Sequence, residues 1–249
     1  MKHTFKIKNI NIGFGHPSFI IAEAGVNHNG DIEIAKKLVS EAKKSGADCV
    51  KFQTFKASKV VTSTAPKANY QLKTTNPNES QIKMLENLEL PIEKYDELVK
   101  FCEQEEIIFL STPYNIEDVD FLDNLGVSAF KLASMHTIEP FMIEYTASKG
   151  KPVILSTGMA TLSEVDEAVS AFRNINFEDF ALLQCTTNYP ADIADANLRV
   201  INALEDTFNC SVGYSDHTKD DTACIASIES IIGEALRSGA LPAAPAPGP

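Results

Sequence analysis

Short apolar runs in this 249-residue sequence end in polar residues: Glu23, Lys51, Gln53, Thr112, Lys131, Ser134, Ser156, Thr186, Tyr189, Ser215 and His217. Singly, each is an ordinary loop start. Together they combine two cations, a carboxylate and several hydroxyls, a set that can neutralise and orient a small dianion such as a phosphate ester. The lysines matter most, because strand ends in a closed barrel face a common centre. Gly158, after Ser156-Thr157, offers backbone N–H groups to an anion and fits a plain turn equally well. His217, with Asp216 beside it, can ligate a metal, but the sequence holds no HxxxH or CxxC spacing. His28 lies in Asn27-His28-Asn29-Gly30 and reads as a turn residue, since Asn-Gly favours turns. His3, His16 and His136 read as surface or packing residues.

Seven strand-like runs must position these groups: residues 19–22, 49–50, 107–110, 129–130, 152–155, 180–183 and 210–213. Unbroken apolar runs of this length fit strands buried on both faces of a parallel sheet. Helical periodicity fills gaps between them at residues 31–45, 91–104 and 197–208, and after the capping-box pattern Thr161/Glu164. Alternating strands and helices mean an α/β fold. Seven βα units without a glycine-rich dinucleotide loop favour a TIM-type (β/α)8 barrel, whose usual size is ~250 residues. The polar surplus from Lys56 to Glu89 reads as a long loop of the kind that binds ligands.

Composition is that of a globular chain, 44% hydrophobic and 22% charged. A net charge of −12 disfavours a nucleic-acid partner. No run reaches the ~20 apolar residues of a membrane helix, and the N-terminus lacks a signal-peptide core, so a cytoplasmic protein without a membrane partner is expected. The five cysteines, Cys49, Cys102, Cys185, Cys210 and Cys224, are odd in number and scattered. They read as buried apolar thiols rather than disulfides or a zinc site. An eighth strand is expected beyond the helix that begins near Asp220. The sequence there runs instead into residues 240–249, which hold four prolines and no charge. The expected organisation is an incomplete barrel over 1–232 and a disordered Pro/Ala-rich tail over 233–249.

The motifs, taken together, resemble the sialic acid synthase family. They are Ile21-Ala22-Glu23-Ala24-Gly25-Val26-Asn27-His28-Asn29-Gly30, Val50-Lys51-Phe52-Gln53-Thr54, Ser111-Thr112-Pro113 and Phe130-Lys131-Leu132-Ala133-Ser134. Ile154-Leu155-Ser156-Thr157-Gly158-Met159, Gln184-Cys185-Thr186-Thr187-Asn188-Tyr189-Pro190 and Gly213-Tyr214-Ser215-Asp216-His217-Thr218 complete the set, in the family's order. The resemblance implies a (β/α)8 barrel followed by an antifreeze-like domain. It implies an enzyme that condenses phosphoenolpyruvate with an N-acyl mannosamine-type sugar, releasing phosphate, with the help of Mn2+ or Mg2+. Lys51, Thr112, Lys131, Ser134, Ser156 and Ser215 would then hold phosphoenolpyruvate. Glu23 would be the acid/base, Gln53 and Tyr189 would contact the sugar, and His217 would be one of two metal-binding histidines.

Two parts of the family pattern have no counterpart here: the eighth-strand motif with the second histidine, and the antifreeze-like domain. The expectation is thus a truncated synthase barrel, with a homodimer weakened by the missing domain. The Cys185–Pro190 stretch followed by Asn197-Leu198-Arg199 is closer to synthases of N-acetylneuraminic or legionaminic acid than to those of pseudaminic acid. The acceptor is accordingly N-acetylmannosamine or a 2,4-diacetamido-6-deoxy relative. Two alternatives stand beside this: a degenerate barrel that binds phosphoenolpyruvate or a partner without turnover, and a Schiff-base aldolase using Lys131 or Lys51.

Overall fold

The computed structural model describes residues 4–68, 71–72, 75–76 and 78–228. The expected tail, 233–249, lies outside the described residues, as does the end of the expected barrel region. The chain divides into two compact units, one formed by residues 19–132 and the other by residues 1–18 with 133–249.

The 19–132 unit contains strands β3 (Ile21–Gly25), β4 (Cys49–Thr54), β5 (Ile108–Pro113) and β6 (Phe130–Leu132). The first three form a parallel sheet in that order, and β6 lies beside β5. Helix α1 (Ile32–Lys44) joins β3 to β4. Its first turn is fixed by Asp31, whose Oδ1 accepts from the Glu33 N–H at 2.7 Å, and Lys43 and Lys44 complement the dipole at its end. After β4 come the short helices α2 (Ala57–Val60) and α3 (Gln81–Glu86), so the expected loop is partly helical. Within it, the Lys67 ammonium donates to the Thr75 hydroxyl at 2.9 Å and the Asn76 carbonyl at 2.8 Å. Pro91 stands just before a 3-10 turn (Ile92–Lys94) that leads into α4 (Tyr95–Gln104). Helix α5 (Ile116–Leu125) follows β5 and stops at Gly126, whose φ of +84° suits a residue without a Cβ.

The other unit opens with an antiparallel hairpin, β1 (Thr4–Ile7) and β2 (Ile10–Gly13), that the sequence reading did not anticipate. Its tight turn passes through Lys8 at φ +53°, with no glycine to mark it. Strands β7 (Val153–Ser156), β8 (Phe180–Cys185) and β9 (Ser211–Ser215) form a parallel sheet in chain order, and β2 lies against β9. A 3-10 turn (Ser134–Ile138) leads into helix α6 (Pro140–Ala147), and α7 (Leu162–Asn174) and α8 (Arg199–Phe208) connect the strands. The capping box before α7 forms as expected: the Glu164 N–H donates to Thr161 Oγ1 at 3.3 Å, and the Thr161 N–H donates back to Glu164 Oε2 at 2.6 Å. Phe172 of α7 stacks on Phe180 of β8, with centroids 4.5 Å apart and planes 8° apart. The chain is again helical over residues 222–228.

The seven parallel strands match the seven expected runs. The expectation of burial on both faces holds for β4, β5, β6, β7 and β8, all wholly or almost wholly buried. It fails for β3 and β9, which are largely half-exposed. β3 is outermost in its three-stranded sheet among the described residues, whereas β9 has β2 beside it. The cysteine expectation needs one correction: four are buried, but Cys224 is exposed.

Asp118, in the first turn of α5, is only 8% exposed, and burial pushes its carboxyl up to about 6 against the hydrogen bonds of the Tyr114 and Asn115 backbone. Its folded value exceeds its unfolded one, so its contribution to stability is complete below about pH 4 and is lost as pH rises through about 6. Asp118→Asn removes that titration. The stability of the variant relative to the unaltered chain is expected to rise by on the order of 2–3 kcal/mol between pH 4 and pH 8. Urea unfolding at both pH values checks this; a difference that does not change with pH contradicts it.

Candidate active site

In the 19–132 unit the strands present their chemistry on one face by simple alternation. On β4, Phe52 and Thr54 face the helices: Phe52 stacks on Phe109 at 5.8 Å, and Thr54 Oγ1 lies 3.2 Å from the Tyr95 hydroxyl of α4. Lys51 and Gln53 therefore point to the opposite face. The register sets Glu23 of β3 directly beside Lys51, and Thr112 of β5 beside Gln53. The Lys51 ammonium pairs with Glu23 Oε2 at 2.5 Å and donates to Thr112 Oγ1 at 3.3 Å. Lys51 is 8% exposed, whereas the Glu23 side chain is 50% exposed. The lysine is thus held in place while its carboxylate partner stays open to solvent. At the end of β6, Lys131 is also buried, and its ammonium donates to the Leu132 carbonyl at 2.9 Å.

A bulge in β3 produces this geometry. Pairing with β4 slips between Glu23 and Gly25, and Gly25 takes φ +54°. A Cβ on Gly25 would come within 3.1 Å of Glu23 Oε1 and 3.6 Å of Gln53 Nε2. Glycine tolerates this positive φ and spares the Glu23 carboxylate the tight approach. His28 follows in the turn, as expected. It is buried, accepts from the Gly30 N–H at 3.0 Å through Nδ1, and burial pushes its pKa down.

In the other unit, the strand ends form a second polar cluster. The Gly158 N–H donates to Ser134 Oγ at 3.0 Å. The Thr137 hydroxyl donates to the Ser156 carbonyl at 3.0 Å. His217 Nδ1 lies 2.8 Å from the Thr186 carbonyl, which can only accept, so Nδ1 carries the proton and Nε2 the lone pair. Tyr189 packs on the imidazole with ring centroids 4.3 Å apart. Cys185 joins these groups, its sulfur 3.8 Å from His217 Nδ1. Burial raises the Cys185 thiol, but hydrogen bonding from His217, with the Ser134 and Ser215 hydroxyls, outweighs it and holds the thiol below its usual range. Cys185 is therefore a polar hub among Ser134, Ser215 and His217, not the apolar thiol that spacing alone suggested.

The glycine at 158 is under tighter constraint than a turn requires. A Cβ there would fall 2.2 Å from Thr187 Oγ1, 2.9 Å from Ser134 Oγ and 3.1 Å from the Cys185 carbonyl. The Thr187 hydroxyl oxygen is itself buried without a hydrogen-bond partner. Its neighbours make it a site residue that the sequence reading missed. Tyr114 is another: its hydroxyl donates to Gln53 Oε1 at 3.0 Å.

The metal expectation finds one prepared ligand. His217 has the tautomer a metal needs at Nε2. Asp216, its sequence neighbour, is committed elsewhere, accepting from the Thr218 N–H at 2.8 Å and from the Tyr214 hydroxyl at 3.2 Å. Among the described residues no three His, Cys, Asp or Glu groups converge on a metal position. The described residues therefore do not build a metal cage.

The sequence signature of the NeuB family matches residues 38–230. The chain belongs to the NeuB family. This NeuB-family chain is 45% identical over 213 residues to N,N'-diacetyllegionaminic acid synthase of Campylobacter jejuni, covering 85% of this chain and 64% of that protein. It is 45% identical over 204 residues to the Legionella pneumophila protein of the same name, covering 80% of this chain and 57% of that protein. The chain thus spans about three fifths of the length of these curated relatives. The crystal structure of an N-acetylneuraminic acid synthetase from Leptospira borgpetersenii superposes with a TM-score of 0.81 at 26% identity, over 100% of this chain and 93% of that one. A truncated 3-deoxy-D-arabino-heptulosonate 7-phosphate synthase from Thermotoga maritima shares the fold alone, with a TM-score of 0.66 at 11% identity over 93% of this chain and 77% of that one. The fold class is α/β with parallel strands, of the TIM type. Among the described residues, no helix is long and apolar enough to cross a membrane.

Gly158→Ala is expected to destabilise the NeuB-family chain by about 1–3 kcal/mol through overpacking against Thr187 and Ser134. Combining it with Thr187→Ala removes the nearest clash and should restore part of the loss. Equilibrium denaturation of the single and double variants measures both; a Gly158→Ala variant as stable as the unaltered chain contradicts the close approach.

Proposed function

We propose that this chain carries the condensation chemistry of a nonulosonic acid synthase, joining phosphoenolpyruvate to an N-acyl mannosamine-type sugar and releasing phosphate. The observation that supports it most is the juxtaposition of Lys51, Glu23 and Thr112 on one strand face of a NeuB-family chain. Phosphoenolpyruvate carries a phosphate and a carboxylate, and its recognition calls for fixed cations and hydroxyl donors. Lys51, Thr112 and Lys131 supply these in one unit, and Ser134, Ser156 and Ser215 are assigned to the same ligand by their motifs. Gln53 and Tyr189 are assigned to the sugar. The 45% identity to two legionaminic acid synthases favours a 2,4-diacetamido-6-deoxy acceptor.

In this reaction C3 of phosphoenolpyruvate forms a bond to the aldehyde carbon of the open sugar, and the aldehyde oxygen takes up a proton. The cationic centre left at C2 adds water. The tetrahedral intermediate then breaks its C2–O bond to phosphate and becomes the 2-keto acid. Glu23, paired with Lys51 yet half open to solvent, is the group suited to steady that cation and to take the proton from water. His217 is the described residue able to hold a divalent ion, and none of these steps is assigned to one.

Release of phosphate that depends on both phosphoenolpyruvate and one acceptor sugar tests the reading. N-acetylmannosamine and the 2,4-diacetamido-6-deoxy sugar are assayed in turn with manganese. Glu23→Gln is expected to lower that release at least 100-fold while phosphoenolpyruvate affinity changes less than about threefold. Loss of binding in this variant would make Glu23 structural. Binding without release by the unaltered chain would favour an anion-binding role without turnover.

A further inference from the structure

We propose that Tyr114 is a positioning residue that fixes which end of the Gln53 amide meets the sugar, so that this position selects an acceptor oxygen on the substrate. The inference rests on the reading above that Gln53 contacts the sugar.

A glutamine amide can present either its carbonyl or its NH2 by turning about its last torsion, and the two ends demand opposite partners. The Tyr114 hydroxyl donates to Gln53 Oε1 at 3.0 Å, which leaves Nε2 as the end that can serve a ligand. The backbone of the same residue is also tied, because the Tyr95 hydroxyl donates to the Gln53 carbonyl at 3.3 Å. Nε2 faces the β3 bulge, 3.6 Å from where a Cβ on Gly25 would stand.

Tyr114 is itself held from several directions. It follows β5, and its N–H donates to Asp118 Oδ2 at 3.3 Å. Asn115 caps the same helix, its Oδ1 accepting from the Asp118 N–H at 3.2 Å. The ring packs edge-on against Phe55, with centroids 5.7 Å apart and planes at 66°. The hydroxyl is therefore aimed by packing that a phenylalanine would keep.

The chemical consequence is discrimination. A fixed NH2 donates to the carbonyl oxygen of the sugar's N-acyl group, the substituent that separates this acceptor from the free amino sugar. A protonated free amine in that place opposes N–H to N–H and is refused. Tyr114 thereby makes Gln53 favour an N-acylated amino sugar over the free amino sugar.

Calorimetry on the full chain saturated with phosphoenolpyruvate, titrated with N-acetylmannosamine and with mannosamine, reads this directly. Tyr114→Phe is expected to weaken N-acetylmannosamine binding about tenfold. It should narrow the preference over mannosamine and leave phosphoenolpyruvate affinity within about twofold. In a Gln53→Ala background the same substitution should add less than about twofold, because its target is gone. A tenfold loss that persists in that background, or no loss in the presence of Gln53, overturns the proposal. If Gln53→Ala alone leaves sugar affinity unchanged, the assignment of Gln53 to the sugar fails, whatever Tyr114 does. If the unaltered chain binds neither N-acetylmannosamine nor, in the same titration, the 2,4-diacetamido-6-deoxy sugar, the proposed function itself falls and this inference with it.

Discussion

Lys51 carries an ammonium to a position 8% exposed, on a strand whose other face packs on Phe109 and His28. Taking such a charge out of water costs several kcal/mol unless opposite charge and hydrogen bonds surround it. Glu23 and Thr112 provide that surround, and the remaining polar geometry of the 19–132 unit follows from placing them. The carboxylate must come from the neighbouring strand in register and the hydroxyl from the strand on the other side, and the carboxylate must not be displaced by a Cβ at Gly25. Lys131 of the same unit is buried as well, its ammonium donating to the Leu132 carbonyl.

The second polar cluster obeys the same logic with neutral groups. Gly158 lets the backbone approach Thr187, Ser134 and the Cys185 carbonyl so closely that no other residue fits without displacement. The Thr186 carbonyl sets the His217 tautomer, and Tyr189 covers the ring. Both clusters lie on the C-terminal halves of strands or just beyond them, the end at which barrels of this type place their side-chain donors for a ligand. Strand alternation positions the groups, and glycines at tight points give them room.

Much of this is legible in residue order. Apolar runs ending in Lys51, Thr112, Lys131, Ser134 and Ser156 mark strand ends, because buried parallel strands have few other ways to be written. The capping box at Thr161 announces α7 for the same local reason. Other features depend on contacts that no short window contains. The β1–β2 hairpin turns at a lysine rather than a glycine, and α6 has too little polar surface to show a helical stripe. Tyr114 and Thr187 acquire meaning only from what lies across space: the Gln53 amide in one case, the bare Cα of Gly158 in the other. Cys185 looks apolar in sequence because a thiol gives no sign there of the histidine 32 residues away that it meets.

The claim on which the account depends is that the buried lysines exist to hold a dianion. Calorimetric titration of phosphoenolpyruvate into the unaltered chain, Lys51→Met and Lys131→Met, each at low and high salt, tests it most directly. The account predicts saturable binding by the unaltered chain, weaker at high salt, with each methionine variant folded and at least about 100-fold weaker. Equal affinity for phosphoenolpyruvate in the unaltered chain and in both variants would contradict it.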